Sequence, residues 1–249
     1  MMTAPTFDPA GSDGTVHDAP LALITGASRG FGRELARSLA ADGWRLLLDA
    51  RGTDALAETA TELGPAVWAA IAGDVADPRH RRDLAEAVDA AGHLDLLVHN
   101  ASSLGASPMR RLADLDLDAF VAAHETNTVA PLAITQMLLP QLRSAGGTVV
   151  SLSSDAAVEA YETWGAYGSS KAALDHLTRT LGVEEPLLRA YAFDPGDMRT
   201  QLHQEAFPGE DISDRPLPGA VVPALLRLLS ERPGSGRYRA VDLLAEVPR

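Results

Sequence analysis

From Leu21 onward, short runs of apolar residues alternate with longer stretches of helical spacing. The run over 21–24 ends in a glycine-rich turn, and residues 33–42 then place Leu35, Ala36 and Leu39 on one helical side. Further strands are predicted over 44–48, 66–71, 94–98, 148–152 and 187–193. Helices are predicted over 54–63, 81–91, 117–124, 127–144, 166–182 and 220–230, and a short terminal strand includes residues 238–241. Apolar strands alternating with helices imply a parallel sheet covered on both faces. The expected fold is α/β, one doubly wound domain over residues 20–249 with no internal repeat.

Residues 1–19 break the pattern, being rich in Pro, Gly, Asp and Thr without a basic start or an apolar stretch. They read as a disordered leader and not a signal peptide. No apolar run approaches the roughly 20 residues that cross a bilayer, so a cytoplasmic location is the expectation. A length of 249 residues with 46% hydrophobic and 22% charged positions suits one large soluble domain. The net charge of -13 argues against a broad surface for nucleic acid or acidic membrane, which needs a positive field. With no cysteine there is no disulfide, thiolate nucleophile or Cys-based zinc site. The seven histidines lack metal-motif spacing, so no metal centre is expected.

The segment Thr25-Gly26-Ala27-Ser28-Arg29-Gly30-Phe31-Gly32 sits between the first strand and the first helix. Glycines there let the backbone approach a pyrophosphate, and the helix beyond supplies unpaired N–H groups and a partial positive charge. Three glycines alone also fit an ordinary turn; the strand before and the helix after favour a dinucleotide. An Asp at the end of the second strand would bind a ribose 2′-hydroxyl and repel a 2′-phosphate. The run here is Leu48-Asp49-Ala50-Arg51, and its spacing leaves open which residue faces the ribose. Arg29 and Arg51 each fit a solvated surface, but together they flank one site and favour NADP(H), with NAD(H) the alternative. Asp74 fits an adenine contact or a turn, and Asn100-Ala101 fits an adenosine-side turn or a bridge between strands.

Tyr167 and Lys171 are four apart in a helical stretch and leave the same face. An ammonium there favours tyrosinate, and a tuned phenol exchanges a proton with a substrate oxygen while hydride moves to or from a cofactor. The spacing by itself is common. Ser154 lies just beyond the fifth strand and Asn127 opens the helix before it, both near the carboxyl edge of the sheet where open α/β folds bind ligands.

With these motifs in this order, the sequence resembles the short-chain dehydrogenase/reductase family over nearly all of 21–243. The matching elements are the Thr25-to-Gly32 turn, Asp74, His99-Asn100-Ala101-Ser102, Asn127, Ser154, Tyr167 with Lys171, and Pro195-Gly196 followed by Thr200. The resemblance implies a Rossmann-type sheet of about seven strands. It also implies that Ser154 polarises the substrate carbonyl and that Tyr167 gives it a proton. Lys171 would bind the nicotinamide ribose, and Asn127 would hold a relay water. Ser28, Phe31, Val75 and Met198 join the implied cofactor contacts, and Pro195, Gly196 and Thr200 shape the nicotinamide pocket. The acidic position that selects NAD falls on Ala50, and Arg51 takes the NADP-favouring place. Two departures stand out. The family's Asn-Asn-Ala-Gly reads His99 to Ser102, and Asp155, a substrate contact or a loop cap, follows Ser154 where an apolar residue is commoner.

Residues 197–217 are expected to cover the pocket, with His203 and Phe207 among a mixed polar and aromatic set. Tyr161 and Trp164 fit an aromatic wall or ordinary packing. Local strings at 25–33, 102–105 and 184–186 also resemble sepiapterin reductases, which admits a pterin or similar dicarbonyl beside a ketoreductase or general carbonyl reductase role. An acyl-carrier-protein reductase fits less well, because an acidic surface repels an acidic carrier. The partner is then a small carbonyl or alcohol. A homodimer or homotetramer through the helices carrying Asn127 and Tyr167 is the family's usual assembly. A catalytically inactive NADP(H) sensor on the same fold is the rival reading.

Overall fold

In a computed structural model that describes residues 19–245, seven strands form one sheet. The expected leader lies outside the described residues except for Ala19. The strands are β1 (Leu21–Ile24), β2 (Arg45–Ala50), β3 (Val67–Ala72), β4 (Leu96–His99), β5 (Thr148–Leu152), β6 (Arg189–Asp194) and β7 (Gly236–Arg239). Their order is β3-β2-β1-β4-β5-β6-β7, and every neighbouring pair is parallel. Parallel neighbours need crossovers, and helices supply them: α1 (Gly30–Ala41), α2 (Thr53–Leu63), α3 (Pro78–Ala91), α4 (Leu117–His124), α5 (Ala130–Ala145), α6 (Gly165–Glu184), α7 (Gln201–Ala206), α8 (Val222–Glu231) and α9 (Ala240–Ala245).

Strand alternation divides the core into two layers. Leu46, Leu48 and Ala50 of β2 pack with Leu35 and Leu39 of α1 and Leu225 and Leu228 of α8. Leu47 faces the other way, into a layer with Leu84 and Val88 of α3 and Ile134 and Leu138 of α5. Asp49 shares the Leu47 side by the same alternation. The strand order reverses between β1 and β4, and their carboxyl ends open a crevice there.

The strands at 21–24 and 148–152 and the helix at 117–124 have the bounds that their patterns predict. The strand β3 is an edge, so its residues alternate between half-buried and exposed, and the Trp68 ring is capped by Arg45 at 4.3 Å. Two expectations need correction. The helix expected from 127 begins with a π-helical turn at Glu125–Val129, and only then becomes α5. The terminal strand stops at Arg239, because Ala240 and Leu243 bury as one side of α9 and not as strand neighbours. The short helix α7 inside the expected cover was not foreseen either; Thr200 caps it by accepting from the His203 N–H at 3.1 Å.

Candidate active site

A cavity of about 690 Å³ runs along the carboxyl ends of β1 to β6. At one end lies the glycine turn. Gly26 and Gly30 hold φ of +66° and +56°, a region that side chains strain against. No side chain caps the first turn of α1 and no acid lies in it, so its N–H groups remain available to an anion. Ser28, Arg29, Gly30 and Phe31 line the cavity, whereas Thr25 and Gly32 stand one layer behind. The Thr25 hydroxyl accepts from the Asn100 and Ala101 N–H groups, each at 3.0 Å. A Cβ on Gly32 would lie 2.5 Å from Asn100 Nδ2. The Asn100 amide donates to the carbonyls of Thr25 and Gly26 at 2.9 Å each, so its side chain bridges β1 to β4, and Ala101 lines the wall beside it.

Beyond the turn, Arg51 is exposed at the cavity rim and forms no ion pair with another described residue, while Arg29 bonds Gln201. Asp74 accepts from the Ala76 N–H at 2.9 Å, a turn that leaves Asp74 and Val75 on the wall. The Asp49 carboxylate is buried and meets Nε2 of His80 at 2.5 Å.

At the other end, α6 brings Tyr167 and Lys171 under the loop that follows β5. Burial pushes the Tyr167 phenol up to about 12, and the neighbouring Ser154 and Ser102 hydroxyls work against it. The direction is opposite to the lowering expected from Lys171, because burial dominates. Lys171 is 1% exposed, and burial brings its ammonium down to about 8. Its Nζ donates to the Leu152 carbonyl at 2.7 Å and stands 5.6 Å from the Tyr167 ring centre. Ser154 donates to Asp155 at 2.9 Å and accepts from the Ala156 N–H at 3.2 Å, which caps a short 3-10 turn and holds its hydroxyl at the wall.

Asn127 is fully buried in the π-helical turn, behind the wall. Its Oδ1 accepts from the Ser103 N–H at 2.8 Å and from the Ser102 hydroxyl at 3.2 Å, and its Nδ2 donates to Ser103 O and Ser170 Oγ at 2.8 Å each. The whole side-chain amide is thus engaged by the chain's own groups. The departure at Ser102 therefore adds a third hydroxyl beside Tyr167 and Ser154. His99 points away from the cavity, bonding Thr135 at 2.8 Å, and burial holds its imidazole down near 3.

Pro195, Gly196, Met198, Thr200 and His203 line the side under residues 197–217. Trp164 is the aromatic wall, edge-on to Tyr167 at 5.6 Å between ring centres. Tyr161 and Phe207 flank it at 6.2 and 5.7 Å without reaching the cavity. Asp155 accepts from the Tyr161 hydroxyl at 2.9 Å, so its carboxylate caps the loop and anchors that ring.

Arg237 of β7 was not anticipated. Its guanidinium donates to Asp175 of α6 at 3.0 Å, to Asp194 of β6 at 2.8 Å and to the Ser154 carbonyl at 3.0 Å. The residues so joined lie 43 to 83 positions away in sequence, and no local spacing reveals them. Among the described residues no group of three His, Cys, Asp or Glu is placed to hold a metal ion, and no helix is long and apolar enough to cross a membrane.

A family model for short chain dehydrogenases matches residues 20–211. The chain is 36% identical over 215 residues to the sepiapterin reductase of Xenopus laevis, the match covering 79% of each sequence. An alcohol dehydrogenase from the archaeon Thermococcus sibiricus, solved in complex with 5-hydroxy-NADP, superposes with a TM-score of 0.79 at 28% identity, covering 89% of this chain and 96% of that one. A short chain dehydrogenase from Escherichia coli CFT073 in complex with NADPH superposes with a TM-score of 0.81 at 27% identity, with the same coverages.

Proposed function

This chain belongs to the short-chain dehydrogenase family, and from that premise we propose that it is an NADP(H)-dependent oxidoreductase interconverting a small carbonyl compound and its alcohol. The observation that carries the reading is the convergence of the Ser154, Ser102 and Tyr167 hydroxyls on one cavity above a buried Lys171.

The cavity's residues fit a dinucleotide. Positive φ at Gly26 and Gly30, with the uncapped first turn of α1, makes a backbone cradle, and a Cβ on Gly26 would press to 3.0 Å from Asn100 and Ala101. Arg51 and Arg29 at the rim match a 2′-phosphate in charge and geometry, and two structural relatives carry NADP-type ligands. Ser28, Phe31, Asp74, Val75, Ala101, Pro195, Gly196, Met198 and Thr200 complete the proposed cofactor wall. When bound, the nicotinamide supplies or takes the hydride.

The chain's own residues manage the proton. Ser154, its hydroxyl turned from Asp155 to the substrate, donates a hydrogen bond to the substrate oxygen, and Tyr167 delivers its phenolic proton to that oxygen in the reducing direction. The Lys171 charge favours the tyrosinate left behind, and its ammonium is placed to bind ribose hydroxyls. Asn127 accepts from the Ser102 hydroxyl and the Ser103 N–H and so keeps Ser102 beside the phenol. Trp164 and His203, under the segment 197–217, form the substrate wall. Exposed Leu117, Val121 and Leu132 on α4 and α5 support assembly into dimers or tetramers.

The test is turnover of a carbonyl and alcohol panel with NADPH and with NADH, followed through the cofactor's absorbance. Carbonyl reduction with NADPH favoured is expected. Tight NADPH binding without turnover on the whole panel would replace the enzyme by a sensor.

A further inference from the structure

An acid at the end of β2 is the usual obstacle to a 2′-phosphate, and Asp49 stands there beside Ala50 and Arg51. Asp49 is a residue of the cavity wall, with Asp74 near enough to act on its carboxyl, so the adenosine end carries two acids beside the exposed Arg51. We propose that His80 is a specificity-determining residue, which neutralises Asp49 and thereby admits a 2′-phosphorylated dinucleotide. This inference rests on the NADP(H) reading above.

Three elements build the pair. Asp49 lies at the end of β2 and is 1% exposed. His80 is the third residue of α3 and directs Nε2 to Asp49 Oδ1 at 2.5 Å. Gly73, in the turn after β3, makes the space: a Cβ there would lie 2.2 Å from Nδ1 and 2.5 Å from Cγ of the imidazole. Gly73 is not among the glycines at positive φ, so its backbone does not call for glycine. The missing side chain is explained by the ring that occupies its place.

The electrostatics agree with the geometry. The Asp49 carboxylate raises His80 above the usual imidazole range, against the opposing effect of burial, and Asp83 and Asp74 act in the same direction. Burial pushes Asp49 up, while His80 and the Gly26 N–H hold it down. With one shared proton the pair has no net charge. Without His80 whatever charge the carboxylate keeps stands uncompensated beside the site of the 2′-phosphate, where low-dielectric surroundings strengthen repulsion, although loss of the partner that holds it down also favours its protonation. A purely structural brace through Gly26 would disturb both cofactors alike, because the glycine turn serves the pyrophosphate they share.

The experiment is calorimetric titration of the full chain with NADPH and NADH, for wild type, His80→Gln, Asp49→Asn and the double variant. His80→Gln is expected to weaken NADPH by about tenfold and NADH by less than about threefold. The double variant is expected to regain NADPH affinity, because no charge remains to neutralise. Equal weakening of both cofactors by His80→Gln, no weakening of NADPH, or no recovery in the double variant would overturn the proposal. If His80→Gln does not fold, His80→Asn is titrated in its place, with the same expected and overturning results. A wild type that prefers NADH would instead defeat the cofactor reading beneath it.

Discussion

The Lys171 ammonium is tied to the Leu152 carbonyl at 2.7 Å and stands 5.6 Å from the Tyr167 ring centre, so it acts on the phenol across space and not by a direct hydrogen bond. Burial drives the two proton affinities apart, the lysine down to about 8 and the tyrosine up to about 12. Their proton affinities therefore set how the reaction responds to pH.

Reduction needs the phenol protonated and the lysine charged. As pH rises, Lys171 loses its proton first, so kcat/KM for carbonyl reduction is expected to hold below about 8 and fall above it. Lys171→Arg carries a cation that does not titrate in this range and should move the alkaline limb upward. A pH–rate profile of both proteins checks this; an alkaline limb that stays in place would remove Lys171 as its origin.

Gly168 sits one residue after Tyr167, and a Cβ there would lie 2.7 Å from the Ala156 carbonyl. Ala156 is the residue whose N–H bonds Ser154 Oγ. Gly168→Ala should push that loop off the helix and carry Ser154 away from the phenol. The expected result is a fall in kcat of about 10- to 100-fold with unchanged NADPH affinity, read by steady-state kinetics and titration.

Arg237 joins Asp175, Asp194 and the Ser154 carbonyl with a side chain only 19% exposed. Arg237→Met would leave two buried acids without their cation. A loss of about 3 kcal/mol in urea unfolding is expected, since breaking a buried pair strands its partner charge. A change below about 0.5 kcal/mol would mean that the guanidinium contributes only contact.

The local part of this fold is legible in the sequence. Apolar runs such as 21–24 and 148–152 lie at the centre of a parallel sheet, where burial on both faces leaves no alternation to misread. The edges are less legible. Trp68 marks β3 as apolar although one of its faces is open, and α9 is too short to show a helical period. The site divides in the same way. Tyr167 and Lys171 share a helix, and Gly26 to Gly32 share a turn, so local spacing brings each group together, and the order of the motifs around them marks them as a site. Arg237 meets Ser154 across 83 residues and His80 meets Asp49 across 31, contacts set by strand order and not by spacing. The π-helical turn at Asn127 escapes a periodic reading because it interrupts the period.

The central claim is that Tyr167 delivers the proton. Single-turnover reduction of a carbonyl substrate with bound NADPH, comparing wild type with Tyr167→Phe, measures that step without product release. The account predicts a rate lower by about 10² to 10⁴ with NADPH affinity unchanged. An equal rate in the two proteins would contradict it.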